Sequence, residues 1–132
     1  MNAPRPRRRV VEAPPRRPPV ELRALRVVVE EDPDPDVSYL EQDGFDERLA
    51  AYRNGEFSIV GVRAEADVFI EETEQTLTSS GLWGVESDLD EGELIESAQA
   101  EWEALRNVLK AVGVSTSELP LDAQREWIEW RT

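Results

Sequence analysis

Carboxylates are the only side chains present in numbers that could do chemistry. The densest run is Glu86-Ser87-Asp88-Leu89-Asp90-Glu91-Gly92-Glu93, and a second is Glu30-Glu31-Asp32-Pro33-Asp34-Pro35-Asp36. Oxygen ligands at this density suit hard cations such as Ca²⁺ and Mg²⁺. The calcium-loop register nevertheless fails. Counting from Glu86 puts Glu91 at the sixth position, where glycine is needed, and Ser97 at the twelfth, where a bidentate Glu belongs. Capping of a following helix, with the positive end of its dipole, accounts for the same acids without a metal. The second run is expected to be a solvated, self-repelling turn. A glycosidase-type pair needs one acid in an apolar pocket at a defined separation, which no sequence displays by itself.

The rest of the composition removes most other chemistries. The 132 residues include no Cys and no His. Disulfides, thiolate metal sites, zinc hydrolysis and Ser–His or Cys–His nucleophiles are therefore excluded. Ser79-Ser80-Gly81 and Gly81-Leu82-Trp83-Gly84 are too short for a phosphate loop, and no Gly-Lys-Ser/Thr follows them. No catalytic residue, cofactor or metal is expected. A carboxylate-based Mg²⁺ enzyme is the enzymatic alternative left.

Charge is unevenly placed. The chain carries a net −14, yet residues 1–26 hold Arg5, Arg7, Arg8, Arg9, Arg16, Arg17, Arg23 and Arg26 against only Glu12 and Glu21. That stretch is +6, which leaves −20 for residues 27–132. An acidic body repels phosphates and attracts basic surfaces, and an arginine arm does the reverse. The expected partners are a basic protein surface for the body, and nucleic acid, an acidic partner or the body itself for the arm. No apolar run approaches the ~18 residues of a membrane span. No apolar stretch follows the basic N-terminus as a secretory signal requires, and its prolines oppose the amphipathic helix of a transit peptide. A cytoplasmic setting without membrane contact is expected.

The elements follow from proline density and periodicity. Residues 1–22 contain six of the nine prolines and predict a disordered Pro/Arg-rich arm. Leu25–Glu31 predicts a first strand, stopped by the Asp/Pro run. Phe45, Leu49 and Tyr52 at i, i+4 and i+7 predict a helix, capped by Asp43 and ended by Asn54-Gly55. From Phe57 to Glu71 the period becomes two. Val60, Val62, Ala64, Ala66, Val68 and Ile70 form a dry face, while Gly61, Arg63, Glu65, Asp67 and Phe69 form a wet one. Gln75–Ser79 returns as its hairpin partner, and Gly81–Glu86 predicts a short strand. Leu94, Ala98, Trp102, Leu105, Leu109 and Val112 form the stripe of a long helix, about Asp90–Val112, capped by Ser87 or Asp88. A last amphipathic helix, about Leu119–Arg131, is expected to place Ala123, Trp127 and Trp130 on one side.

The expected fold is α+β: a small antiparallel β-α-β-β-β-α sheet covered on one face by helices, plus a C-terminal helix. Its divisions are an arm at 1–22, a domain at 23–113 and the helix within 114–132. Trp83 and Trp102 are expected in the core.

Two segments, SYLEQDGFDERLAAYRNGEFSIVGVRAEADV and QTLTSSGLWGVESD, resemble a family of small uncharacterised proteins encoded by bacteriophages, prophages and their hosts. The resemblance covers about half of the chain and implies a phage or mobile-element setting. That family has no established catalytic residues, so the resemblance carries no site over.

The leading expectation is a non-enzymatic acidic interaction protein, in its sharpest form a DNA mimic that inhibits a host nucleic-acid-binding or defence protein. The second is a nucleic-acid-associated accessory protein tethered by Arg5, Arg7, Arg8, Arg9, Arg16 and Arg17. The candidate interface comprises Glu86, Asp88, Asp90, Glu91 and Glu93, the strand face Arg63, Glu65 and Asp67, and the pair Trp127 and Trp130.

Overall fold

The computed structural model describes residues 20–115, 117 and 119–131. The arm arginines lie outside the described residues. Five strands and two helices run β1 (Val20–Glu31), α1 (Asp46–Arg53), β2 (Ile59–Ile70), β3 (Thr73–Thr78), β4 (Leu82–Glu86), α2 (Glu91–Ala111) and β5 (Ile128–Arg131). The class is α+β, as the periodicity predicts.

β2 is the centre of the sheet. It pairs antiparallel with β1 on one side, and with β3 and then β4 on the other. Its even-numbered residues Val60, Val62, Ala64, Ala66 and Val68 are buried. They meet the α2 stripe of Leu94, Ala98, Trp102, Leu105 and Leu109, spaced to share one helical face. Asp90 caps α2, its carboxylate accepting from the Glu93 backbone N–H at 2.8 Å. Neither Ser87 nor Asp88 does, because Ser87 Oγ is engaged by the Ser58 N–H and Asp88 by Arg48.

β1 begins at Val20, ahead of both the expected strand start and the expected 22/23 boundary. The reason is a bulge. Leu22 pairs with Val68 and Ala24 with Asp67, so Arg23 is an extra residue. The bulge resets the phase, bringing Val20 and Leu22 to the same side as Leu25, Val27 and Val29.

Three further expectations are corrected. First, the C-terminal segment is not a helix. A 3-10 turn at Arg125–Trp127 leads into β5, which runs parallel to β1 with Val27 opposite Ile128 and Val29 opposite Trp130. The steps Ala123, Trp127, Trp130 mimic a helical stripe, but Ile128 and Trp130 also alternate with Glu129 and Arg131, and the open edge of β1 supplies ladder partners. The sheet is therefore mixed rather than antiparallel. Second, helices do not cover one face only. α1 packs through Leu49, Ala51 and Tyr52 on Leu40, Phe57 and Ile59, and alternation puts Ile59 on the face away from Val60. Phe45, not Asp43, precedes α1, with no side-chain cap. Third, Trp83 is not core. It is 40 % exposed and lies over Gly61 on that second face.

Candidate interaction surface

The expected wet face of β2 is closed by its own ions. Glu65, only 5 % exposed, faces Arg26 across the β1–β2 ladder. It accepts from Arg26 Nε at 2.6 Å, pairs with Arg63, and has both oxygens 3.4 Å from Arg131 nitrogens on β5. Arg26 also grips Asp67 with two parallel bonds of 2.7 and 2.8 Å, and Arg63 Nε reaches Glu30 at 2.7 Å. Thr76 donates to Asp67. Burial pushes the Glu65 carboxyl up, but the hydrogen bonds from Arg26 and Arg63 outweigh it and hold the group below its ordinary value. The Arg26 fork, with help from Thr76, holds Asp67 down to about 2. Arg63 and Glu65 thus pair with each other, and with Asp67 they are satisfied by Arg26 and Glu30 of β1, Thr76 of β3 and Arg131 of β5, which leaves little for a partner to bind.

The acidic run after β4 is partly consumed in the same way. Arg48 forks onto Asp88 at 2.8 and 2.9 Å, reaches Glu86 at 3.0 Å and stacks 3.8 Å over the Phe57 ring. Tyr39 donates its hydroxyl to Glu86 at 2.8 Å, and burial with that acceptor pushes the phenol up to about 12. Asp90 is the helix cap, and Glu91 pairs with Arg125 at 2.9 Å. Glu93 is exposed, and the neighbouring Asp90 charge raises its carboxyl. Among the described residues, no group of three or more Asp or Glu is placed to hold a metal ion. The Asp/Pro run is a pair of side-chain-locked turns, with Asp32 accepting from the Asp34 N–H and Asp36 from the Ser38 N–H.

The two C-terminal tryptophans separate. Trp127 packs edge-on against Trp102, with centroids 5.1 Å apart. Trp130 sits on edge strand β5 and is 46 % exposed. They do not form one docking face.

What the periodicity left unremarked is the outer face of α2. Glu93, Glu96, Ala100 and Glu103 step by three, four and three, opposite the buried stripe. Beside them runs a groove of about 650 Å³ between α2 and the 121–123 segment. Its floor is the half-buried Ile95 and Ala123, and its exposed rim is Ala100, Glu96, Glu103 and Asp122. Gln99 fixes the far wall, accepting from the Ala123 N–H at 2.7 Å and donating to the Leu121 carbonyl at 3.1 Å. Trp102 Nε1 adds a bond to the Pro120 carbonyl at 3.0 Å. The three rim acids form no ion pair among the described residues. Glu93, Glu96 and Glu103 fall in an i, i+3, i+10 row in the sequence, but the partner wall, with Asp122, comes from a segment that the spacing assigns to a helix.

No protein-family profile, curated protein or solved structure matches the chain. No helix among the described residues is long and apolar enough to cross a membrane.

Proposed function

We propose that the chain is a non-enzymatic acidic interaction protein that docks a basic surface of a nucleic-acid-binding protein, in the manner of a DNA mimic in a phage or mobile-element setting. One observation carries this reading: how the domain spends its cations. Nine basic side chains lie between Arg23 and Arg131, and six of them (Arg23, Arg26, Arg48, Arg63, Arg125, Arg131) pair with acids of the same domain. The outer face of α2 keeps Glu93, Glu96 and Glu103 without such partners. A rigid helix with one uncompensated row of carboxylates offers fixed negative charge to a cationic groove, and preorganised charge favours fast, salt-sensitive association.

The test uses a basic protein retained from bacterial lysate by the full chain. Affinity is expected to fall as salt rises, duplex DNA is expected to compete, and Glu93→Lys with Glu96→Lys is expected to slow association while leaving the fold intact. Binding that ignores salt and DNA but disappears in Trp130→Ala would replace this reading with an apolar docking strand.

A further inference from the structure

We propose that the acid-rimmed groove between α2 and the 121–123 segment is the docking site of this chain's own arginine arm, residues 1–19. The contact itself is independent of the function proposed above. Only its consequence, that the arm competes with a basic partner for the α2 face, rests on that reading.

Three observations select this occupant. The first is charge. Residues 1–19 carry Arg5, Arg7, Arg8, Arg9, Arg16 and Arg17 against Glu12, a balance of +5, so the remaining residues of this −14 chain carry −19. Three of the domain's acid clusters are met by internal cations: Glu65 and Asp67 by Arg26, Glu86 and Asp88 by Arg48, Glu91 by Arg125. Glu96, Glu103 and Asp122 have none among the described residues, and they flank one groove. Guanidinium forks suit carboxylates set along a groove rim better than any other side chain.

The second is chemistry. The groove floor is apolar, and the arm interleaves its arginines with Pro4, Pro6, Pro14, Pro15, Pro18 and Pro19. Proline rings bury apolar surface without bringing a backbone N–H that would need a partner. The floor and rim are preformed by Gln99 and Trp102, so docking requires no rearrangement of the body.

The third is reach. The arm joins the domain at Val20. At a polyproline rise of ~3.1 Å per residue, nineteen residues span roughly 60 Å. A compact domain of this size has a radius of gyration of ~13 Å, so the groove lies within range. Tethering gives the arm an effective concentration on the order of millimolar, enough to populate even a weak contact.

Because the chain has no native cysteine, Ala3→Cys gives the full-length protein a single site for a spin label. At about 0.01 M salt, the amide signals of Ile95, Gln99, Glu103 and Ala123 are expected to lose intensity. They should recover at about 1 M, as the screening length falls from ~30 Å to ~3 Å. The loss should vanish in Glu96→Lys/Asp122→Lys, whose exposed side chains hold no part of the groove wall and leave the amide spectrum of the sheet unchanged. It should vanish equally when the six arm arginines are changed to Gln.

Absence of signal loss at low salt overturns the proposal. So does loss centred on another acidic segment, such as Asp43–Glu47 or Glu71–Glu74, or loss that disappears on dilution, which would place the arm on a second copy. The six-Gln variant is also expected to bind the basic partner several-fold more tightly than wild type, and unchanged affinity would remove the competition. If the groove signals respond as expected but no basic partner binds, the proposed function fails and the arm contact stands.

Discussion

A Cβ built on Gly61 falls 2.1 Å from Trp83 Cε3, and one on Gly81 falls 2.7 Å from Trp83 Nε1. The indole therefore lies flat in a slot that two glycines leave open. Trp83 Nε1 donates to the Ser80 carbonyl, and a bulge opposite Gly61 accommodates Trp83-Gly84, with Gly84 at φ +79°. Gly61→Ala is expected to destabilise by about 1–3 kcal/mol through overpacking. In urea unfolding, Trp83→Ala/Gly61→Ala should cost little more than Trp83→Ala alone, because the clash disappears with the ring. Equal and additive costs would place the strain elsewhere. Glu71 tests backbone strain in the same way. It is the single described non-glycine residue at positive φ, +57°, in the two-residue turn between Ile70 and Thr73. Left-handed backbone costs a side chain ~1–2 kcal/mol, partly offset by the unfolded-state freedom of glycine. Glu71→Gly should therefore raise stability by roughly 0.5–1 kcal/mol, read as a higher urea midpoint.

At the scale of elements, α2 is the hub, and two of its residues tie it to opposite ends of the fold. Trp102 is buried, meets Trp127 edge to face and donates to the Pro120 carbonyl. Trp102→Ala should cost about 3–5 kcal/mol, enough to unfold a marginal domain. Trp102→Phe, which keeps most of the volume but orphans that carbonyl, should cost about 1–3 kcal/mol. Glu101 holds the other end. Its Oε1 accepts from Ser79 Oγ at 2.9 Å and the Gly81 N–H at 2.8 Å, and Ser79 Oγ in turn accepts from the Ala64 N–H. The buried stripe that makes α2 a hub was legible, because six apolar positions at helical spacing have no other use. The Glu101 tie was not, because it joins three segments whose proximity exists only after folding. Pattern length separates β5 from α2: four residues of alternation in Ile128–Arg131 cannot outvote a three-point helical coincidence through Trp127 and Trp130. The bulge at Arg23 likewise hid the start of β1, since it breaks the period by which a strand is recognised. The acids of the α2 outer face could be read, whereas the groove they rim could not, since its wall depends on where 119–124 returns.

For the whole molecule, opposing electrostatic terms set the pH dependence. The net charge of −14 is self-repelling, which weakens the compact state at neutral pH and eases as carboxylates protonate. The Arg–carboxylate face of the sheet acts in the opposite sense. Asp67 is held at about 2 in the fold against ~3.9 in an unfolded chain, and Glu65 is also held low. A depressed carboxyl contributes stability that is fully present above its unfolded value. That stability is lost as pH falls through the folded value. The urea midpoint should therefore rise from neutral toward about pH 5 and then fall between about pH 4 and pH 2. High salt should flatten the first limb, where the repelling charges are exposed, more than the second, where Glu65 and its arginines are largely shielded. Asp67→Asn should lower the midpoint at neutral pH and shrink the acid limb, while leaving the rise toward pH 5 in place. A midpoint that climbs monotonically down to pH 2 in the wild-type protein would mean that the ionic face contributes less than the repulsion it sits within. An acid limb unchanged in Asp67→Asn would move its origin to carboxyls outside the Arg26 fork.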